Sequence, residues 1–362
     1  MKKKIAFIIP CLSYGGAERV IVSLANKFTS NFEVFLIVFY KSDMIYNVDE
    51  KVNIVYLQEK YTASFSFIDA IINNIGYLKK LIKIAKKNKI DALIGFTTSV
   101  NIITVISSFY LKTPTLISER NNPEVYIPNF FWKVLRKFSY SFTSGLVVQT
   151  DFIKRFYQKT IQTDKIIIIP NPIDEYLISK RKFYGDRLNI ILTVGRLDEN
   201  KNQRLLIEAF SNLNPENWKL IIVGDGILRD VYKKLVKDLD IEQKVEFVGN
   251  VQNVWDYYNQ AKIFAFTSNS EGFPNALLEA MSFGLPCIST DCPSGPSEII
   301  INDENGYLIE VNNRKQLEDR LSKLINNPAI CDQFSQNAIS TTLKFNMVEV
   351  RKLWEVQIQK LL

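Results

Sequence analysis

The sequence predicts an α/β protein: two doubly wound, Rossmann-like parallel-sheet domains in series, facing a central cleft, with C-terminal helices. Three observations carry this. Short apolar runs of strand length alternate with amphipathic helical patterns from end to end, the mark of parallel sheets wrapped by helices. The alternation halts once, at Pro170-Asn171-Pro172, and then restarts. The 362 residues suffice for about two domains, each with its own core.

In the first domain, residues 1–170, strands read as Ile5–Ile9, Val34–Phe39, Ile54–Leu57, Ala92–Phe96, Thr115–Ile117, Leu146–Gln149 and Ile166–Ile169. Each is a short run rich in β-branched and other apolar residues. Apolar spacing predicts helices over Ala17–Phe28, Phe67–Lys87 and Phe130–Tyr140. The opening MKKKIAFIIPCL imitates a secretory leader, but Pro10 breaks its apolar stretch and a Gly-Gly turn follows where a cleavage site would stand. It reads as a first strand and its turn. The two prolines and the polar chain after them make 171–186 the predicted linker. In the second domain, 187–340, strands are predicted at Asn189–Val194, Leu220–Val223, Val245–Val248, Ile263–Phe266 and Cys287–Ser289. Helices are expected after Lys201, Ile227, Asn253 and Asn275. From Arg314 onward the pattern is helical, and 341–362 is expected to form a helix crossing back to the first domain. Doubly wound domains bind ligands at the carboxyl ends of their strands, so the cleft is the expected site.

Composition removes whole classes of chemistry. Histidine is absent, which excludes Ser-His-Asp and Cys-His nucleophiles, imidazole bases and His-ligated metals. Cys11, Cys287, Cys292 and Cys331 form no C-x-x-C pair, so neither a zinc knuckle nor a thioredoxin-type site is expected, and four thiols suit a reducing cytoplasm. No apolar run reaches the ~18 residues of a membrane span. The net charge of +7 is lopsided: residues 1–170 hold 23 Lys+Arg against 12 Asp+Glu, the remainder 22 against 26. The basic half points to an anionic partner: a membrane surface, a phosphorylated lipid or nucleic acid.

Four clusters carry candidate chemistry. Gly15-Gly16 sits between the first strand and the first helix, where the backbone can approach a ligand and helix N–H groups face an anion. Gly224-Asp225-Gly226 is the only G-x-G and lacks a third glycine, so a dinucleotide fingerprint is not supported. Arg196 and Lys201 lie in one strand-to-helix loop, a planar fork and a point charge suited to phosphate oxygens. In Glu271-Gly272-Phe273-Pro274-Asn275-Ala276-Leu277-Leu278-Glu279, Pro274 suits a helix start, with Glu271 before it and Glu279 one turn inside. Two such acceptors would grip hydroxyls at both ends of a sugar nucleotide, its diphosphate lying on the amides near Asn275 and Ala276.

Taken together, Gly15-Gly16, Arg196 with Lys201, Glu271-x₇-Glu279 and Gly295-Pro296-Ser297-Glu298 resemble the GT-B retaining glycosyltransferases of family 4. The resemblance covers nearly the whole chain and is strongest from Gly195 to Ile309, including Phe247-Val248-Gly249 and Asn305-Gly306-Tyr307-Leu308. It implies a nucleotide-diphosphate sugar bound mainly by the second domain. Arg196 and Lys201 would hold the diphosphate, Glu271 the transferred sugar and Glu279 the ribose. Gly272, Phe273, Asn275 and Ala276 would line the donor site, with backbone near Val251 and Leu278 holding the base. Gly15 and Gly16 would close over the phosphates. Many relatives carry a histidine near Ser118-Glu119-Arg120-Asn121-Asn122-Pro123; here Arg120 stands in that neighbourhood as its expected replacement. The run 292–298 looks most like members that build bacterial surface glycans from UDP-galactose-type donors, favouring a UDP-Gal or UDP-GalNAc-type donor.

No D-x-D stands in a strand-end loop, so fixed cations and a helix N-terminus are expected to neutralise the leaving diphosphate, with no metal and no cofactor besides the donor itself. Retention is implied by the family alone: same-face attack, the leaving phosphate taking the acceptor's proton. Lys79, Lys80, Lys83, Lys86, Lys87 and Lys89 on one helix, and Phe130-Phe131-Trp132-Lys133 with Arg136 and Lys137, suit an anionic membrane interface. Without a groove-reading motif beside the charge, nucleic acid is not expected. The expected enzyme is a hexosyl or N-acetylhexosaminyl transferase. It would lie peripherally on the cytoplasmic face of the plasma membrane and extend a lipid-linked oligosaccharide, lipopolysaccharide O-antigen or capsule. The alternatives are a sugar-nucleotide epimerase and a non-catalytic sugar-nucleotide-binding scaffold.

Overall fold

The computed structural model describes residues 2–13, 15–44, 46–63, 65–126, 129–182 and 187–362. The chain divides into two compact units, Met1–Pro172 with Val348–Leu362, and Ile173–Met347.

The first unit holds a seven-stranded parallel sheet: β1 (Lys4–Ile9), β2 (Glu33–Tyr40), β3 (Asn53–Gln58), β4 (Ala92–Phe96), β5 (Thr115–Ser118), β6 (Gly145–Val148) and β7 (Ile166–Ile168). The order is β3-β2-β1-β4-β5-β6-β7. β1, KIAFII, is buried at every position after Lys4, as a central parallel strand covered on both faces must be. The second unit repeats the plan with β8 (Ile190–Val194), β9 (Lys219–Val223), β10 (Val245–Gly249), β11 (Ile263–Phe266), β12 (Cys287–Thr290) and β13 (Tyr307–Ile309), ordered β10-β9-β8-β11-β12-β13. In each sheet the winding reverses between the first strand and the fourth, and there a crevice opens at the carboxyl ends.

Helices cover both faces, and several were not legible in the sequence. Thr98–Leu111, TSVNIITVISSFYL, is buried on most of its sides, so it shows no polar stripe. Its β-branched run reads equally well as strand. β13 is three residues long and lies below the length at which a pattern shows. Part of the 171–186 stretch packs into the second unit. Ile173 and Leu177 are buried in the second unit's core, and Glu175–Ser179 is a short helix capped by the Asp174 carboxylate, which accepts from the Tyr176 amide at 2.9 Å. Residues 183–186 lie outside the described residues. The tail is two helices, Pro328–Thr342 and Met347–Gln359, separated by a 3-10 turn.

A polar network is buried at the carboxyl end of β5. The Glu119 carboxylate accepts from Thr98 at 3.0 Å, from Asn101 at 3.2 Å and from the Tyr140 hydroxyl. Burial pushes its pKa up, while these donors and the nearby Arg136 guanidinium oppose the rise. Tyr140 and Arg136 both come from the helix Phe130–Tyr140, which the network pins to the sheet.

Candidate active site

The second unit's crevice is built from loops that leave β8, β9, β11 and β12. Two of them are zipped together across the reversal point. The Thr267 hydroxyl after β11 donates to the carbonyls of Lys201 and Asn202 after β8, both at 3.0 Å. The Asn269 amide donates to the Asn200 carbonyl at 2.7 Å, and Asn200 Nδ2 to the Ser270 carbonyl at 2.8 Å. This places Lys201 against Glu271 in a direct ion pair, their side chains 20% and 10% exposed. The Lys201 ammonium also stands 5.1 Å from the Phe266 ring centre. An ammonium carries three donors. One holds Glu271.

Arg196 is placed differently. Its side chain is 81% exposed, with Nε 3.4 Å from an oxygen of Asp198. The other oxygen of Asp198 accepts the Lys201 amide at 2.9 Å. One carboxylate therefore shapes the loop that presents both cations. The charge of this loop has one largely buried member and one exposed member.

The segment after Glu271 enters the helix Asn275–Ser282 through Pro274. Glu279 is buried and accepts from the Tyr258 hydroxyl at 3.1 Å. Phe273 and Leu278 are buried in the core, and the Leu278 amide closes the first turn on the Pro274 carbonyl at 3.1 Å. Their side chains, and that amide, are spent on the fold. Val251 is half-buried against the same core. Gly295 has φ +112°, and a Cβ there would sit 2.4 Å from Pro274 Cδ, so only glycine lets the 291–295 loop lie on the helix start. The Ser294 hydroxyl donates to the Gly272 carbonyl at 3.1 Å from the same loop. Cys292 is buried beside the ion pair: burial, then the Glu271 charge, push its thiol up to about 12.

Gly224 and Gly226, which showed only as a failed fingerprint, turn out to support the loop carrying the cations. The Leu197 amide donates to the Asp225 carbonyl at 3.0 Å, and a Cβ on Gly226 would meet the Leu197 carbonyl oxygen at 2.4 Å. At Gly224, φ is +127° and a Cβ would lie 2.0 Å from the Gly195 oxygen. Gly224→Ala is expected to lose about 1–3 kcal/mol from strained backbone alone. The check is the urea midpoint of the second unit; an unchanged midpoint would contradict this close approach. Tyr258 and Asp198 were likewise missed, since a lone tyrosine and a loop aspartate carry no pattern.

Gly15, Gly16 and Arg120 belong to the first unit. Gly15 caps the helix Gly16–Phe28, and the Tyr46 hydroxyl bonds both its amide, at 3.2 Å, and its carbonyl, at 2.9 Å. Gly16 is exposed, and the Glu18 carboxylate folds back over Gly15. Burial raises the Glu18 pKa. Arg120 is buried, its guanidinium carbon 4.6 Å from the Phe96 ring centre and 5.6 Å from that of Trp354, and it donates to Asn171. Burial lowers its pKa to about 9. Its Nε and the second terminal nitrogen are buried without a hydrogen-bond partner among the described residues.

The geometry can be set beside known proteins. The description "Glycosyltransferase Family 4" matches residues 14–176, and "Glycosyl transferases group 1" matches 177–341. The chain is 31% identical over 355 residues, covering 97% of both chains, to a Campylobacter jejuni protein named GalNAc-alpha-(1->4)-GalNAc-alpha-(1->3)-diNAcBac-PP-undecaprenol alpha-1,4-N-acetyl-D-galactosaminyltransferase. The chain belongs to the family 4 glycosyltransferases. A second enzyme of C. jejuni, N-acetylgalactosamine-N,N'-diacetylbacillosaminyl-diphospho-undecaprenol 4-alpha-N-acetylgalactosaminyltransferase, is 29% identical over 97% of this chain and 98% of its own. Among solved structures, Anabaena HepE with UDP superposes with a TM-score of 0.83 at 18% identity, covering 99% of this chain and 100% of that one. The glycosyltransferase thus has the GT-B plan of two parallel-sheet domains. Among its described residues no helix is long and apolar enough to cross a membrane, and no group of three or more Cys, Asp or Glu is placed to hold a metal ion.

Proposed function

We propose that this glycosyltransferase moves a hexose or N-acetylhexosamine, with a UDP-Gal or UDP-GalNAc-type donor favoured, to a lipid-linked oligosaccharide or polysaccharide. The reaction retains anomeric configuration and needs no metal ion. The observation that carries the reading is the Lys201–Glu271 pair seated across the reversal point of the second sheet. It sets a cation for phosphate beside an acceptor for sugar hydroxyls, where doubly wound folds bind nucleotides. The two C. jejuni relatives, both named as N-acetylgalactosaminyltransferases acting on undecaprenol-linked glycans, support the donor and acceptor classes.

In this mechanism Lys201 and the exposed Arg196 hold the diphosphate, with the amides at the start of Asn275–Ser282 beneath it. Glu271 binds hydroxyls of the transferred sugar, and Glu279, oriented by Tyr258, the ribose. The bond between the anomeric carbon and the phosphate oxygen breaks. The acceptor oxygen attacks from the same face, and its proton passes to the leaving phosphate. The charge developing on the diphosphate falls on groups already in place, so no reorganisation is needed as it forms. The first unit, rich in lysine and in exposed aromatic residues, attaches the enzyme to the inner face of the membrane.

The test is transfer from radiolabelled UDP-GalNAc and UDP-Gal to an undecaprenyl-diphosphate-linked glycan, with and without EDTA. Undiminished transfer in EDTA is expected. Loss in EDTA with recovery on adding manganese would overturn the metal-free assignment, and donor binding without any product would point instead to a scaffold.

A further inference from the structure

The first unit carries an apolar groove of about 120 Å³ that the reaction does not use. Three helices form it: Phe67–Asn88, Thr98–Leu111 and Phe130–Tyr140. Ile71, Ile75, Ile106, Phe131, Trp132 and Leu135 line it. Asn74 is the polar side chain at its wall, and its Nδ2 is spent on the Ala70 carbonyl at 2.6 Å. The rest of the lining is aliphatic or aromatic. Apolar cavities of about 150 Å³ take up benzene, so this space suits a narrow hydrocarbon.

The surface around the mouth is apolar as well. Phe130, Val134 and Phe138 are exposed on one helix, and Phe138 and Phe109 both meet Phe142 edge-on, at 5.1 and 5.3 Å between centroids. On Phe67–Asn88 the outer stripe runs Ile68, Ile72 and Ile75, then Lys79, Lys83 and Lys86, all exposed. Residues three and four apart share a helix face. One face is therefore greasy in its first half and cationic in its second, the change taking roughly 12 Å from Ile75 to Lys83 at 1.5 Å per residue. An exposed apolar patch of this kind calls for a cover. A second copy would bring Lys133 and Lys137 and the lysine stripe against their own like charges; an anionic lipid surface complements them.

We propose that the groove holds one acyl chain of an anionic phospholipid, with Lys79, Lys83 and Lys86 at headgroup level. This rests on the membrane-attachment reading above and goes further, assigning a discrete lipid site. The full chain would be mixed at low salt with phosphatidylcholine vesicles containing phosphatidylglycerol brominated in mid-chain, reading cosedimentation and tryptophan quenching. Quenching is expected, lost in Trp132→Phe, and also lost in Ile106→Phe, which fills the groove while cosedimentation persists. Cosedimentation with quenching that survives Ile106→Phe, or without quenching at all, would overturn the groove and leave membrane attachment standing. Absence of cosedimentation would remove both. Quenching only by a brominated isoprenyl phosphate, or a vesicle-independent dimer in sedimentation velocity that Ile106→Phe breaks, would overturn the acyl assignment in favour of those occupants.

Discussion

Glu271→Ala is expected to lower turnover by about thirty-fold to a thousand-fold, about 2–4 kcal/mol of transition-state stabilisation, while leaving UDP affinity intact or improved. The second half follows from the ion pair. With Glu271 gone, the Lys201 ammonium keeps its place over the Phe266 ring and loses its one carboxylate competitor for phosphate. Ground-state binding of the diphosphate then strengthens just as the contact to the sugar disappears. Lys201→Ala should act oppositely on binding: it removes the phosphate cation and strands a carboxylate only 10% exposed, so UDP affinity and turnover fall together. Glu271→Gln keeps one acceptor oxygen and should recover part of the loss. Steady-state kinetics with UDP inhibition constants separate the three. A Glu271→Ala enzyme with near-normal turnover would remove that residue from the donor site.

What the sequence made legible follows from which physical signals are local. β1, β2, β4, β8 and β11 are apolar runs between turns, and their pattern survives any context. The helix Thr98–Leu111 did not show, because a helix buried on most sides has no period to read. For the site, Glu271, Lys201 and Arg196 could be singled out one by one from their loops. Their arrangement could not, since it depends on Thr267, Asn200 and Asn269 tying two loops that are 65 or more positions apart. The same holds for Gly224 and Gly226, whose worth lies in the backbone they touch at Gly195 and Leu197. The surroundings of Arg120 were not legible either: the rings of Phe96 and Trp354 flank its guanidinium, and one of those rings comes from the end of the chain.

That last contact sets the largest stability effect expected in the molecule. Met347, Val350, Trp354 and Ile358 recur at three- and four-residue spacing and are all buried, so the final helix has one continuous apolar face. Trp354 is its centre: fully buried, stacked on Phe96 at 5.5 Å and 14°, and roofing Arg120. The outer flank of the helix is held more weakly, Arg351 donating to Ser30 and Asn31, both at 3.2 Å, and Asn31 donating to Glu355, on the surface where such bonds contribute little. Trp354→Ala should therefore cost about 3–5 kcal/mol, the range for emptying a large aromatic site in a core. It also leaves the Arg120 charge with one ring instead of two, which pushes the result toward the upper end. Trp354→Phe keeps the stack on Phe96 and should lose much less. Because the chain has two units, the loss should appear as an early transition of the first unit in urea, with the amides of β8, β9 and β11 keeping their protection against hydrogen exchange. A Trp354→Ala chain that unfolds at the wild-type midpoint would mean that the final helix is not packed on the first sheet as described.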